Sequence, residues 1–183
     1  MSKVCHTGIA LGPFFTVLVG SYVNGKPNYV TVGAWGAVDL IPTLFVSIKK
    51  THYSTNGIEE RGYYSINVPT ADIVKKVDYC GLNSGQNVDK SQLFTYSKQY
   101  SENAPIIEEC PLNYLCKVIR KEEVNGFNIY FGKIENILIN DEIMDGGDLL
   151  VDKFYPLITI STNYFDGKDC IGNVFKMGVE ETK

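Results

Sequence analysis

The sequence is poor in the residues from which metal and acid–base centres are usually built. Its 183 residues include two histidines and one tryptophan. Five cysteines, at positions 5, 80, 110, 116 and 170, form no Cys-x-x-Cys pair and leave an odd one over. Reduced thiols are therefore the simplest reading. Cys5-His6 alone supplies no metal site, because a closed zinc site needs four well-spaced ligands. There is no Gly-x-Gly-x-x-Gly dinucleotide fingerprint, no internal repeat and no low-complexity tract. No catalytic triad or paired-carboxylate site stands out. Positive charge is also scarce: the net charge of -4 argues against nucleic acid or anionic membrane as a partner. The apolar run from Gly8 to Val19 is interrupted by Gly12, Pro13 and Thr16 and is too short to span a bilayer. Met1 to His6 lacks the apolar core and cleavage site of a secretory signal. A soluble, cytoplasmic protein is expected.

What is present reads as one domain, residues 1–183, rich in short strands. Phe14 to Tyr22 reads as a buried strand, and Asn24-Gly25 as a hairpin turn into Tyr29 to Val32, because Asn-Gly accepts the positive φ angles such turns need. Pro27 then sits near a strand start, where a missing N–H is tolerated. Residues 43–48 form a third strand. Thr55 to Glu60 is a weak helix, opposed by Asn56-Gly57 and with Glu59-Glu60 at the wrong end of the dipole. Ser54 is its natural N-cap. After a strand from Tyr63 to Val68, Thr70 caps a second helix that gathers Ile73, Val74, Val77, Tyr79 and Cys80 near one stripe, with Lys75, Lys76 and Asp78 opposite. Gly81 to Pro111 is polar and aperiodic, a long excursion of the functional or interfacial kind. Asn113 to Glu123 and Asn128 to Ile139 form a long hairpin across Asn125-Gly126. Asp145-Gly146-Gly147-Asp148 turns, Leu157 to Ser161 is a strand, and Asp166-Gly167 turns into an irregular tail. The pattern predicts a mostly β, closed antiparallel barrel with a few helices.

Asn28 to Ser54 is where chemistry concentrates. Gly33 and Gly36 bracket Ala34 and Trp35, so a loop there brings backbone N–H groups close to a ligand beside one large aromatic. The following strand delivers Ser47, Lys49 and Lys50 at its exit, with Thr51, His52, Tyr53, Ser54 and Thr55 next in line. Lysines and hydroxyls at a helix start suit a phosphate. A solvated strand end is the competing reading for Lys49-Lys50 and for His52, and core packing the competing reading for Trp35.

These residues resemble a known pattern. Asn28-x-x-Thr31, Ala34-Trp35, Asp39-x-x-Pro42, Ser47-Ile48-Lys49 and Ser54-x-x-x-Ile58 are similar, in order and spacing, to the flavin reductase-like, FMN-binding split-barrel family. Gly62 to Pro69, Tyr79-Cys80-Gly81, Ser84-Gly85, Asp89-Lys90, Tyr155-Pro156-Leu157 to Tyr164, Ile171-Gly172 and Met177-Gly178 extend the likeness over nearly the whole chain, closest to a flavoredoxin-like branch. The resemblance implies a split β-barrel, Greek-key-like, binding FMN across a homodimer interface. It implies that Ser47, Ile48 and Lys49 line the ribityl and phosphate side, and that the backbone of Val32, Gly33, Ala34 and Trp35 meets the polar ring edge. Lys90 resembles the family lysine that approaches the flavin or its phosphate; the competing reading is a surface Asp-Lys pair. Such a cation near the ring raises the flavin potential. Lys50 to Ser54 departs from the family's basic-aromatic-threonine succession, yet Ser54 keeps a hydroxyl. Cys80 reads as a buried thiol, since nothing local lowers its pKa. The implied activity is hydride acceptance from NADH or NADPH, followed by delivery to free flavin, ferric iron or a protein. An electron carrier of the flavoredoxin kind and a flavin-free binding protein are the alternatives.

Overall fold

A computed structural model describes residue 5 and residues 11–38, 42–167 and 170–178. Asp39 and His6 lie outside the described residues. The elements are β1 (Phe14–Phe15), β2 (Val17–Val23), β3 (Lys26–Val32), β4 (Trp35–Ala37), β5 (Thr43–Lys49), α1 (Ser54–Arg61), β6 (Tyr63–Val68), α2 (Val74–Leu82), β7 (Tyr96–Ser97) and β8 (Ile106–Ile107). They continue with β9 (Leu112–Val124), β10 (Phe127–Ile139), β11 (Met144–Asp145), β12 (Asp148–Leu149), β13 (Ile158–Ile160), β14 (Asn163–Phe165) and β15 (Cys170–Asn173).

Seven strands form an antiparallel sheet in the order β3-β2-β6-β9-β10-β5-β4. The sheet curls until edge strand β3 lies beside β5. It is a half-barrel rather than a hydrogen-bonded closed one, and that split exposes the edge of β3. The two long hairpins turn where expected, with Asn24 and Gly25 at φ 51° and 75° and Asn125 and Gly126 at 49° and 82°. Pro27 is the second residue of β3, an edge strand, where its missing donor breaks no ladder.

The interior is packed by Val17, Val19, Val30, Val32, Val46, Ile48 and Ile66. The opposite face of β2 and β3 packs Leu18 and Tyr29 against Val74, Val77 and Cys80 of α2. Strand β2 is thus buried on both faces, which is why its sequence is apolar without alternation. Each such side chain contributes about 1.5–3 kcal/mol of burial.

Four local expectations are corrected. Ser54 does not cap α1; it is the first helical residue, after Tyr53, and its Oγ accepts from Asn28 Nδ2 at 2.7 Å. Thr70 precedes a 3₁₀ turn at Ala71–Ile73, makes no capping bond, and turns its hydroxyl to Asp72. Asp78 is not on a solvated face of α2 but fully buried, accepting from Tyr164 Oη at 2.9 Å, from Gly178 N at 2.8 Å and from Phe175 N. These donors come from the last described stretch, where β14 pairs with β15 instead of giving way to an irregular tail. The tail needed a buried acceptor, and α2 supplies it.

The weak helix α1 forms because of Gly57. A Cβ there would lie 2.8 Å from the Tyr22 carbonyl carbon, so glycine lets α1 press onto β2. Glu59 is satisfied off the helix, by Lys121 at 2.7 Å and Tyr130 Oη at 2.9 Å. Tertiary contact here outweighs intrinsic propensity. The excursion after α2 is pinned by Asn67, whose Oδ1 accepts from Ile107 N and Asn113 Nδ2, both at 2.9 Å.

Candidate functional site

Two chambers open beside the edge of β3. The inner one, about 150 Å³, is lined by Asn28, His52, Ser54, Gly81, Ser84 and Lys90 among others. The outer one, about 360 Å³, is lined by Asn24, Lys26, Gln86, Asn87 and Asp89, and shares Asn28, Tyr53, Gly85 and Lys90 with the first. Gly85 belongs to the partition: a Cβ at this position would strike the Asn28 amide and lie 2.7 Å from the Tyr53 ring.

Lys90 is the chief feature. It is 3% exposed, and its Nζ donates to Tyr29 O at 2.9 Å and Cys80 O at 3.0 Å. The first carbonyl belongs to an edge strand and the second to the last turn of α2, two places where the backbone leaves acceptors over. An ammonium has three N–H donors and these carbonyls use two. None of the ion pairs among the described residues includes Lys90, and Asp89, its sequence neighbour, instead pairs with Lys26 at 2.8 Å. Burial pushes the Lys90 pKa down. A buried cation balanced by dipoles rather than a carboxylate keeps a positive charge that can attract an anion.

His52 stands at the mouth of the inner chamber. Loss of solvent, then the charges of Lys49 and Lys90, hold its pKa below the usual histidine value. Its backbone is locked by His52 N donating to Lys49 O at 2.9 Å and by Thr55 Oγ1 donating back to His52 O at 2.8 Å. Ser54 is buried, with its carbonyl held by Ser21 Oγ at 3.1 Å. The donor set of ammonium, imidazole, hydroxyl and amide fits a phosphate.

The strand-end residues divide. Lys49 is exposed at the exit of β5 with no ion pair among the described residues. Lys50 is drawn away to Glu123 at 2.6 Å, on β9. Ile48 is buried in the barrel interior, whereas Ser47 alternates to the outer face. Thr31 donates from its Oγ1 to Val77 O, tying β3 to α2.

At the far end of β3, about 13 Å from Asn28 by the rise of four strand residues, Gly33 and Ala34 form an exposed bend. Ser47 N donates to Ala34 O at 2.8 Å, which sets the bend against β5. Trp35 is half-buried: it packs on the barrel core, and its indole N–H donates to Phe15 O at 2.8 Å. Its competing roles thus merge, since one face packs while part of the ring stays accessible.

The structure therefore gathers Asn28, His52, Tyr53, Ser54, Ser84, Gly85 and Lys90 at the chambers, and Val32, Gly33, Ala34, Trp35 and Ser47 at the bend. Thr55 serves the loop backbone. Sequence reasoning missed Asn24 and Asn83, which line the chambers from a turn and a bend, and Lys26, the first residue of β3; polar residues at such places carry no signal that separates a ligand contact from a solvated loop. Cys80 is buried and forms no disulfide.

Residues 12–167 match the flavin reductase like domain. The chain belongs to that family. Its structure is similar to that of flavoredoxin from Methanosarcina acetivorans, 32% identical over 99% of each chain with a TM-score of 0.86. It is also similar to flavoredoxin of Desulfovibrio vulgaris (Miyazaki F), 25% identical over the whole of both chains with a TM-score of 0.82. An uncharacterized protein of Archaeoglobus fulgidus is 28% identical over 166 residues, 89% of this chain and 93% of that one. The fold of this family member is the split barrel, mostly β with two α-helices among the described residues. No helix among the described residues is long and apolar enough to cross a membrane.

Proposed function

We propose that this family member is a flavoprotein that binds FMN, accepts hydride from NADH or NADPH, and delivers electrons to free flavin, ferric iron or a protein acceptor. The observation that carries the reading is Lys90: a buried ammonium, bonded to two carbonyls, beside a small polar chamber at one end of an open strand edge. When bound, FMN supplies the hydride-accepting chemistry, so the chain needs no nucleophile of its own.

The chain's residues bind and orient. Lys90, His52 and Ser54 hold the phosphate, with Ser84 and the Gly85 backbone closing the chamber over it. Asn28 fixes Ser54 through its amide. Lys49 adds charge at the mouth, and Ser47 faces the ribityl side. The bend from Val32 to Ala34 offers backbone groups to the polar ring edge, and Trp35 gives an apolar wall that excludes water. The bend is exposed in one chain, which supports a homodimer in which a second copy covers the ring. The unbridged thiols of Cys80, Cys110 and Cys116 accord with a reducing, cytoplasmic setting.

A second reading has its own support. The 32% identity to a flavoredoxin favours an electron carrier that holds FMN tightly and oxidises NADH and NADPH slowly. The test is the visible spectrum of the purified protein, followed by anaerobic addition of NADH and then NADPH. Flavin bands that bleach within seconds identify a reductase and its donor. Bands that bleach with dithionite alone identify the carrier. A colourless protein that FMN does not reconstitute overturns both.

A further inference from the structure

We propose that Phe175 is a ligand-contacting residue: its ring walls the α2 side of the open β3 edge, where the middle of a bound flavin lies. The inference rests on the reading that FMN lies along this edge with its phosphate at Lys90, and it adds to that reading a contact from the far end of the chain.

Phe175 is 58% exposed and has a φ of 64°. That is left-handed backbone, where a bulky aromatic is a genuine outlier. Such a conformation persists only where the surroundings impose it, and it collects at ligand clamps and active sites. The surroundings here do impose it. Buried Asp78 accepts from Phe175 N and, at 2.8 Å, from Gly178 N. A Cβ on Gly178 would lie 2.8 Å from Tyr79 Cα, so the segment is pressed onto α2. Val174 and Met177, to either side, pack into the apolar cluster beneath α2. Both flanks are thus anchored while the aromatic between them is held out in water. Stability alone favours neither feature, because exposure forgoes the burial of a large apolar side chain and glycine adopts this φ without strain.

The ring is held at a definite place. A Cβ on Gly81 would lie 3.4 Å from Phe175 Cε1 and 3.5 Å from Thr31 Cβ, so the ring edge and Thr31 meet over the side chain that Gly81 lacks. Gly81 lines the inner chamber. Thr31 lies about 10 Å along β3 from Asn28, at the chamber, and about 7 Å from Gly33, at the bend. A ligand that spans chamber and bend therefore passes Phe175. The chamber is polar, and a flat apolar side chain midway supplies a surface on which a ring can stack.

The test uses flavin-free full-length protein titrated with FMN and with riboflavin, for wild type, Phe175→Gly and Phe175→Tyr, alongside thermal unfolding of each. Phe175→Gly removes the ring and relaxes the backbone together. The expected result is that it weakens FMN and riboflavin by the same factor, about tenfold, and shifts the absorption band of the bound flavin, while its unfolding midpoint is at or above that of wild type. Phe175→Tyr keeps wild-type affinity and spectrum. Unchanged affinities in Phe175→Gly overturn the proposal. So does a loss confined to FMN, which places Phe175 at the phosphate, and so does a lowered midpoint with an unshifted band, which makes the residue structural. Failure of the wild-type protein to bind either flavin overturns the reading beneath the proposal, a result distinct from any change between variants.

Discussion

At one end of edge strand β3, Lys90 and Ser54 are buried beside His52 in a small polar chamber; at the other, Gly33 and Ala34 lie exposed against a half-buried Trp35. The end proposed to hold the phosphate is enclosed by this chain's own residues, as a buried cation requires fixed dipoles around it. The end proposed to meet the ring is a surface. Its recognition is shape, stacking and a few backbone groups, all of which another copy of the chain, or the flavin itself, can complete. The proposed site therefore holds its ligand by charge and presents the reactive part of it by exposure.

Replacing Lys90 strikes the enclosed end hardest. Lys90→Met removes charge-assisted bonds of about 1.5–3 kcal/mol each, so FMN binding falls by about ten- to a hundredfold, while riboflavin, which lacks the phosphate, binds nearly as before. Lys90 also ties β3 to α2, and the flavin-free protein loses about 1–3 kcal/mol in denaturant unfolding. Equal loss of FMN and riboflavin would make Lys90 a structural tie alone. Gly85→Ala is next: with its Cβ set against Asn28 and Tyr53, overpacking costs about 1–3 kcal/mol, and isothermal titration shows FMN weakened by about tenfold at the chamber wall the two residues share.

The open end responds less. Trp35→Ala loses part of a packed aromatic and one hydrogen bond to Phe15, about 1–2 kcal/mol in thermal unfolding, and weakens FMN and riboflavin alike by a few-fold with a shifted flavin absorption band. A spectrum identical to wild type would confine Trp35 to the barrel core.

How much of this contrast is legible in the sequence follows from the range of the forces involved. The hairpins at Asn24-Gly25 and Asn125-Gly126 are local dihedral requirements and read directly. The bend with its tryptophan reads as well, since glycine spacing is local. Asp78 and Lys90 do not. Both are charged residues beside other polar residues, the usual mark of a solvated face, and both are buried by partners distant in the chain: Gly178 for Asp78, Tyr29 for Lys90. Resemblance, not periodicity, singled out Lys90. Ser54 was legible as a hydroxyl at a helix start but not as the acceptor of Asn28, a contact across the barrel seam.

His52 reports whether an anion enters the enclosed end. Its pKa is held down by desolvation and by Lys49 and Lys90, so the neutral ring prevails in the folded protein and protonation on acidification disfavours the fold as pH falls through the unfolded value near 6.5. A phosphate dianion beside it reverses the sign of the local field. NMR titration should show the His52 pKa rising when FMN binds and holding steady with riboflavin. A value unmoved by FMN would take the phosphate out of the chamber.

The smallest effect separates two adjacent lysines that the sequence treats as equivalent. Lys50 is committed to Glu123 on β9, an exposed pair whose loss changes stability by at most about 1 kcal/mol. Lys49 has no such partner among the described residues and acts on His52 at the chamber mouth. Lys49→Ala should therefore weaken FMN binding by a few-fold at low salt, whereas Lys50→Ala should leave it within about twofold, since a charge already paired contributes little field at a distance. The difference should fade as ionic strength rises from about 0.01 M to 0.15 M, because the screening length falls from about 30 Å to 8 Å. Equal losses for the two variants would mean that Lys50 leaves Glu123 when the ligand arrives, and that the enclosed end is not fully formed before binding.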